Sequence, residues 1–138
     1  MKPKSIEHIG IAVKDLESSI PLYEKLLGVE CYAIESVPDQ LVKTAFFKVG
    51  SVKIELLEPT DELSPIASFL SNKGEGVHHI ALAVDDIHEA LKDAKSKGFR
   101  LIDRVPRPGA EGLRIGFLNP KRTGNVLYEF CSPEEVPE

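Results

Sequence analysis

Glu7-His8-Ile9-Gly10-Ile11-Ala12-Val13-Lys14-Asp15-Leu16 returns 71 residues later as His78-His79-Ile80-Ala81-Leu82-Ala83-Val84-Asp85-Asp86-Ile87. A helix-like segment follows each copy and stops at a glycine, Gly28-Val29 in the first and Gly98-Phe99 in the second. Further on, Val52-Lys53-Ile54-Glu55-Leu56-Leu57-Glu58-Pro59 is matched by Val126-Leu127-Tyr128-Glu129-Phe130-Cys131-Ser132-Pro133, at an offset of 74. Two copies are too few for a solenoid, so the pattern reads as a tandem duplication within one domain.

Inside each copy the hydrophobic period changes in a fixed order. Ile6 to Val13 alternates, with His8, Gly10 and Ala12 on one side and Ile9, Ile11 and Val13 on the other. Asp15 is an N-cap, and Leu16, Ile20, Tyr23, Leu26 and Leu27 recur at helical spacing until Gly28. Strand-like runs follow over 31–37, 41–49 and 52–58. The second copy predicts a strand over 77–84, a helix over 86–97 and strands near 100–105, 112–118 and 125–131. Ser64-Pro65 reads as N-cap and first residue of a linker helix ending near Asn72. The predicted class is α+β: two βαβββ modules (about 5–60 and 76–133, linker helix about 64–73) forming one curled mixed sheet around a metal site, helices outside. A single domain covers 1–138.

Four residues contradict a simple strand pattern. Glu is disfavoured within strands, yet Glu55 and Glu129 each stand among apolar neighbours at equivalent repeat positions. His8 and His79 are likewise equivalent, and their same-face neighbours are small: Gly10, Ala12, Ala81 and Ala83. A lone strand histidine is ordinarily a hydrogen-bonded core residue, and a lone mid-strand Glu is ordinarily solvated or paired with a neighbour such as Lys53. Neither reading explains why both types recur at the same repeat positions. Two imidazoles and two carboxylates are good ligands for a divalent ion. His78 points with Ile80 and Leu82 and reads as structural; His88 falls on a helix and reads as exposed.

Composition narrows the classes further. The 138 residues are 42% hydrophobic and 28% charged, a globular balance. A net charge of −5 and the absence of Trp disfavour general nucleic-acid binding. No apolar run reaches the roughly 18 residues of a membrane span, and Met1-Lys2-Pro3-Lys4-Ser5 offers no signal segment. Cys31 and Cys131 form no disulfide framework, so reduced thiols in a cytoplasmic protein are expected. Residues 99–125 hold six bases (Arg100, Arg104, Arg107, Arg114, Lys121, Arg122) against Asp103 and Glu111. Arg107-Pro108-Gly109-Ala110-Glu111-Gly112 reads as a flexible loop able to close over a substrate.

From about Ser5 to Ser132 the chain resembles the vicinal-oxygen-chelate superfamily, and within it the methylmalonyl-CoA epimerases. The resemblance rests on residues 6–13 and 54–59, on Ser64-Pro65-Ile66-Ala67 with Phe69-Leu70, on residues 74–81, and on Phe117-Leu118-Asn119-Pro120-Lys121. It implies His8, His79 and Glu129 as metal ligands, with Glu55 in the fourth place, where some epimerases have Gln. The ion would be Co, Mn, Ni or Zn. Thr44 stands where some bacterial epimerases carry a glutamate base. A hydroxyl cannot act as that base at neutral pH, so Glu55 and Glu129 become the proton-transfer pair. An acyl-CoA substrate would meet Lys121, Arg114 and Thr44, and a homodimer is implied. The same four ligands also occur in lactoylglutathione lyases, an alternative that the linker and Pro-Lys stretches disfavour. An extradiol dioxygenase would lack the fourth ligand, and a metal-free binding module of this fold would lack the set.

Overall fold

The computed structural model describes residues 2–133. The chain forms two compact units, one spanning His8–His78, the other made of the residues up to Glu7 and those from His79 onward. The boundaries fall inside the two repeated strands.

In the first unit the strands β1 (Ser5–Ala12), β2 (Ala33–Val37), β3 (Val42–Val49) and β4 (Val52–Pro59) lie in the order β2-β3-β4-β1. β1 runs parallel to β4 and the other pairs are antiparallel. Helix α1 (Leu16–Leu27) begins where the Asp15 carboxylate accepts the Ser18 N–H (2.9 Å) and ends at Gly28, in the left-handed region at φ 69°. Leu16 packs with Val13, Ala45, Phe47 and Leu56, joined by Ile20, Tyr23 and Leu27. Leu26, expected on this stripe, is 71% exposed. Its position one residue before Leu27 turns it about 100° off the buried line. The linker helix α2 (Pro65–Lys73) forms as its sequence predicts, with Ser64 Oγ accepting the Ile66 N–H (3.1 Å).

The second unit repeats this plan. β5 (Gly76–Ala83), β6 (Arg107–Pro108), β7 (Leu113–Phe117) and β8 (Tyr128–Pro133) lie in the order β5-β8-β7-β6, with β5 and β8 parallel. Helix α3 (Ile87–Ser96) is capped by Asp86, which accepts the Glu89 N–H (3.2 Å), the counterpart of the Asp15–Ser18 contact. Ile87, Ala90, Leu91 and Ala94 close over Val84 and Leu118, with Phe99, Leu101, Tyr128 and Phe130 at the margin.

The strand expected at 100–105 does not form. Only Leu101 bridges Leu118, and the Ile102 N–H binds the Phe117 carbonyl (2.9 Å). Asp103 turns its carboxylate back to accept the Phe117 N–H (2.8 Å), which takes the donor a ladder would need. The edge strand is instead the two residues Arg107–Pro108, where the proline sits on the outermost strand. The loop after it is anchored: the Gly109 N–H binds the Leu113 carbonyl (2.9 Å), and the space a Cβ at Gly109 would take is occupied by the Ile115 side chain.

Candidate metal centre

Register decides which side chains meet. β1 and β4 pair Gly10 with Glu55, so no β1 side chain stands beside the carboxylate, and His8, two residues earlier, shares its face. The result is a buried pair: His8 Nδ1 lies 3.1 Å from Glu55 Oε2, with both side chains about 5% exposed. Across β3 the partner of Glu55 is Phe46 and that of Leu57 is Thr44, so the same face carries a phenyl ring and a buried hydroxyl.

The second unit builds its counterpart by the same device. Ala81 pairs with Glu129, and His79 Nε2 lies 3.9 Å from Glu129 Oε1, both nearly fully buried. Phe117 is the cross-strand partner of Glu129, and its ring meets His79 edge-on at 5.4 Å. The Arg107 guanidinium covers Phe117 at 5.9 Å. Ala81, Ile115, Phe117 and Cys131 surround the pair with apolar surface. Beside Ala81, the small residue of β5, the space is filled by Ile115 and Phe117 of β7 and Cys131 of β8.

Phe46 and Phe117 were not singled out from the sequence. They stand 71 residues apart, the offset of the two histidines, and that recurrence was the available signal. In each unit a carboxylate sits in apolar surroundings against an imidazole, where an unpaired charge would be costly. Imidazole nitrogen and carboxylate oxygen are the donors that Zn, Co, Ni and Mn accept. His8 with Glu55 in one unit, and His79 with Glu129 in the other, are each a buried donor pair of that kind.

The remaining sequence candidates lie elsewhere. Lys121 is exposed in the turn Pro120–Arg122, which Asn119 caps by accepting the Lys121 N–H (3.0 Å). Arg114 precedes Ile115 on β7 and therefore projects from the opposite side of the strand. Its Nη2 donates to the Pro106 carbonyl (3.0 Å), and it lines a recess of about 280 Å³ with Asp85, Asp86, His88 and Ser132. His78 is structural, as expected: it stacks edge-on against Phe69 at 5.1 Å. Burial, and then the Lys73 ammonium, push its pKa down to about 4. His88 is exposed on α3.

Residues 7–117 match the Glyoxalase/Bleomycin resistance protein/Dioxygenase superfamily. The human mitochondrial methylmalonyl-CoA epimerase is 40% identical over 90% of this chain and 71% of its own length. The ethylmalonyl-CoA/methylmalonyl-CoA epimerase of Cereibacter sphaeroides is 40% identical over 90% of this chain and 94% of its own. A Streptomyces coelicolor methylmalonyl-CoA epimerase variant in complex with 2-nitronate-propionyl-CoA superposes with a TM-score of 0.92 at 36% identity, covering 99% of each chain. With the duplicated βαβββ order and its paired His and Glu residues, this protein belongs to the glyoxalase/bleomycin resistance/dioxygenase superfamily.

Proposed function

We propose that this protein is a metal-dependent epimerase that interconverts (R)- and (S)-methylmalonyl-CoA. The observation that carries the reading is the repetition of one buried His–Glu pair at the same strand register in both halves of a chain 40% identical to epimerases acting on this substrate. His8, Glu55, His79 and Glu129 would hold a divalent ion. That ion, when bound, supplies Lewis-acid stabilisation for the charge that develops on the thioester oxygen as the α-proton leaves.

The chain's own residues do the rest. Inversion requires proton removal on one face of the α-carbon and return on the other. Glu55 and Glu129 come from opposite halves of the duplication and are the carboxylates assigned to those two tasks. A positioned carboxylate contributes on the order of 10²–10⁴ in rate. Phe46 beside Glu55, and Phe117 and Ile115 beside Glu129, keep water from the carboxylates and from the carbanionic carbon. Thr44 and Lys121 are assigned to the substrate; Arg114, which projects from the opposite side of β7 and donates to the Pro106 carbonyl, is not. The protein is read as a cytoplasmic homodimer. Cys31 and Cys131, neither of them in a disulfide, suit a reducing compartment. Tyr32, just before the terminal strand β2, and Ile34 within it are about half exposed and offer apolar surface for a second copy to cover.

The test is a substrate panel run with and without chelator. Conversion of (S)- to (R)-methylmalonyl-CoA that chelation abolishes supports the reading. Turnover of the methylglyoxal–glutathione adduct without epimerisation replaces it with a lyase.

A further inference from the structure

After α3 ends at Ser96 the chain folds back on itself, and the turn encloses a recess of about 330 Å³ lined by Lys95, Phe99, Arg100, Leu101 and Arg104. Three of the five lining residues are cations and none is an acid. The neighbouring carboxylates are engaged elsewhere: Asp93 pairs with Lys97 (2.8 Å), and Asp103 with Arg107 (3.1 Å) and the Phe117 N–H (2.8 Å). Among the described residues Lys95, Arg100 and Arg104 have no ion pair. The negative end of α3 is muted as well, because the Lys97 and Phe99 N–H groups take up its last carbonyls. Below the cations, Phe99 and Leu101 give the recess an apolar floor seated on the α3 core.

The recess also lies close behind the second His–Glu pair. The Arg100 carbonyl accepts the Asn119 N–H (2.8 Å), and Leu101 bridges Leu118. Phe117, next along the same strand, is the residue that stacks on His79. A ligand reaching from the carboxylate to the recess therefore has to round one strand end.

We infer that this recess binds the phosphates of the substrate's 3′-phosphoadenosine diphosphate end, a role that rests on the acyl-CoA reading above. Guanidinium forks match phosphate oxygens in pairs, and three clustered cations meet a ligand carrying several negative charges. The pantetheine arm then spans the gap to the reacting carbon.

The test uses Arg100→Glu/Arg104→Glu, both exposed positions, with the urea midpoint as a check on folding. Calorimetric titration with coenzyme A, dephospho-coenzyme A and pantetheine should show coenzyme A affinity falling at least about tenfold, the loss of one or two charge-assisted hydrogen bonds. Pantetheine binding should stay within about twofold. In turnover, KM for methylmalonyl-CoA should rise similarly with kcat unchanged, and methylmalonyl-pantetheine should show no difference. Coenzyme A affinity unchanged in the variant, or absent in the parent, overturns the assignment. Arginine-dependent coenzyme A binding in a protein that does not epimerise would keep the recess and refute the epimerase. Epimerisation with KM unmoved would do the reverse.

Discussion

Gly109→Ala isolates one packing contact. Gly109 has φ −124° and ψ −172°, extended backbone open to any residue, so the substitution carries no conformational penalty. The added Cβ would stand 2.6 Å from Ile115 Cγ2 and 3.4 Å from Cγ1. Carbon atoms pack at about 3.5–4.0 Å, so one side must yield by roughly 1 Å. Ile115 cannot turn away, because it is 2% exposed, β-branched, and packed against Ala81, Phe117 and Cys131. Overpacking of this kind costs about 1–3 kcal/mol. Urea denaturation of the parent, Gly109→Ala, Ile115→Ala and the double variant measures it. The double variant should be at least about 1 kcal/mol more stable than additivity allows, since truncating Ile115 frees the space. The contact reasoning is refuted if Gly109→Ala stays within about 0.5 kcal/mol of the parent, or if the two substitutions add. Displacement of Ile115 also presses on Phe117 beside His79, so Gly109→Ala should lower kcat even where the protein remains folded.

His78 makes stability depend on acid. The folded state keeps its imidazole neutral down to about pH 4, whereas the unfolded chain takes up the proton near 6.5. Its contribution is complete above pH 6.5, is lost as pH falls toward 4, and amounts to at most about 3 kcal/mol. Urea titrations from pH 7 to 4 should show a shallower fall for His78→Phe than for the parent; parallel curves contradict this. Loading with Zn or Co at a hundredfold excess over Kd should stabilise the protein by about 2.7 kcal/mol, and His8→Ala or His79→Ala should erase most of that gain. Thr44→Val, nearly isosteric, should raise KM roughly 2–10-fold with kcat preserved if its hydroxyl holds the substrate. A large loss of kcat would give Thr44 a part in the proton transfer.

The duplication made most of the architecture legible. One offset matched β1 to β5, α1 to α3 and His8 to His79 as repeat equivalents, and alternation within each strand assigned the faces. Interior position of Glu55 and Glu129 followed from their apolar neighbours, because a carboxylate is tolerated there only with a partner. Legibility failed where a local side-chain contact overrode the pattern. Asp103 reads as an ordinary strand residue, but its carboxylate takes the Phe117 N–H and dissolves the strand around it. Leu26 has the spacing of a buried residue and misses the stripe by one position. The aromatic walls are a different case: Phe46 and Phe117 are set beside the carboxylates by antiparallel register, and that register depends on turn lengths between strands that composition does not specify.

The most direct test of the account is isotope incorporation by carboxylate variants. Enantiopure methylmalonyl-CoA in deuterated water should give the parent one solvent deuterium in each inverted product molecule. Glu55→Gln and Glu129→Gln, loaded with the same metal, should each lose inversion by at least about a hundredfold, the contribution of one proton-transfer group. Inversion that proceeds without deuterium uptake, or that survives Glu129→Gln, would contradict the account.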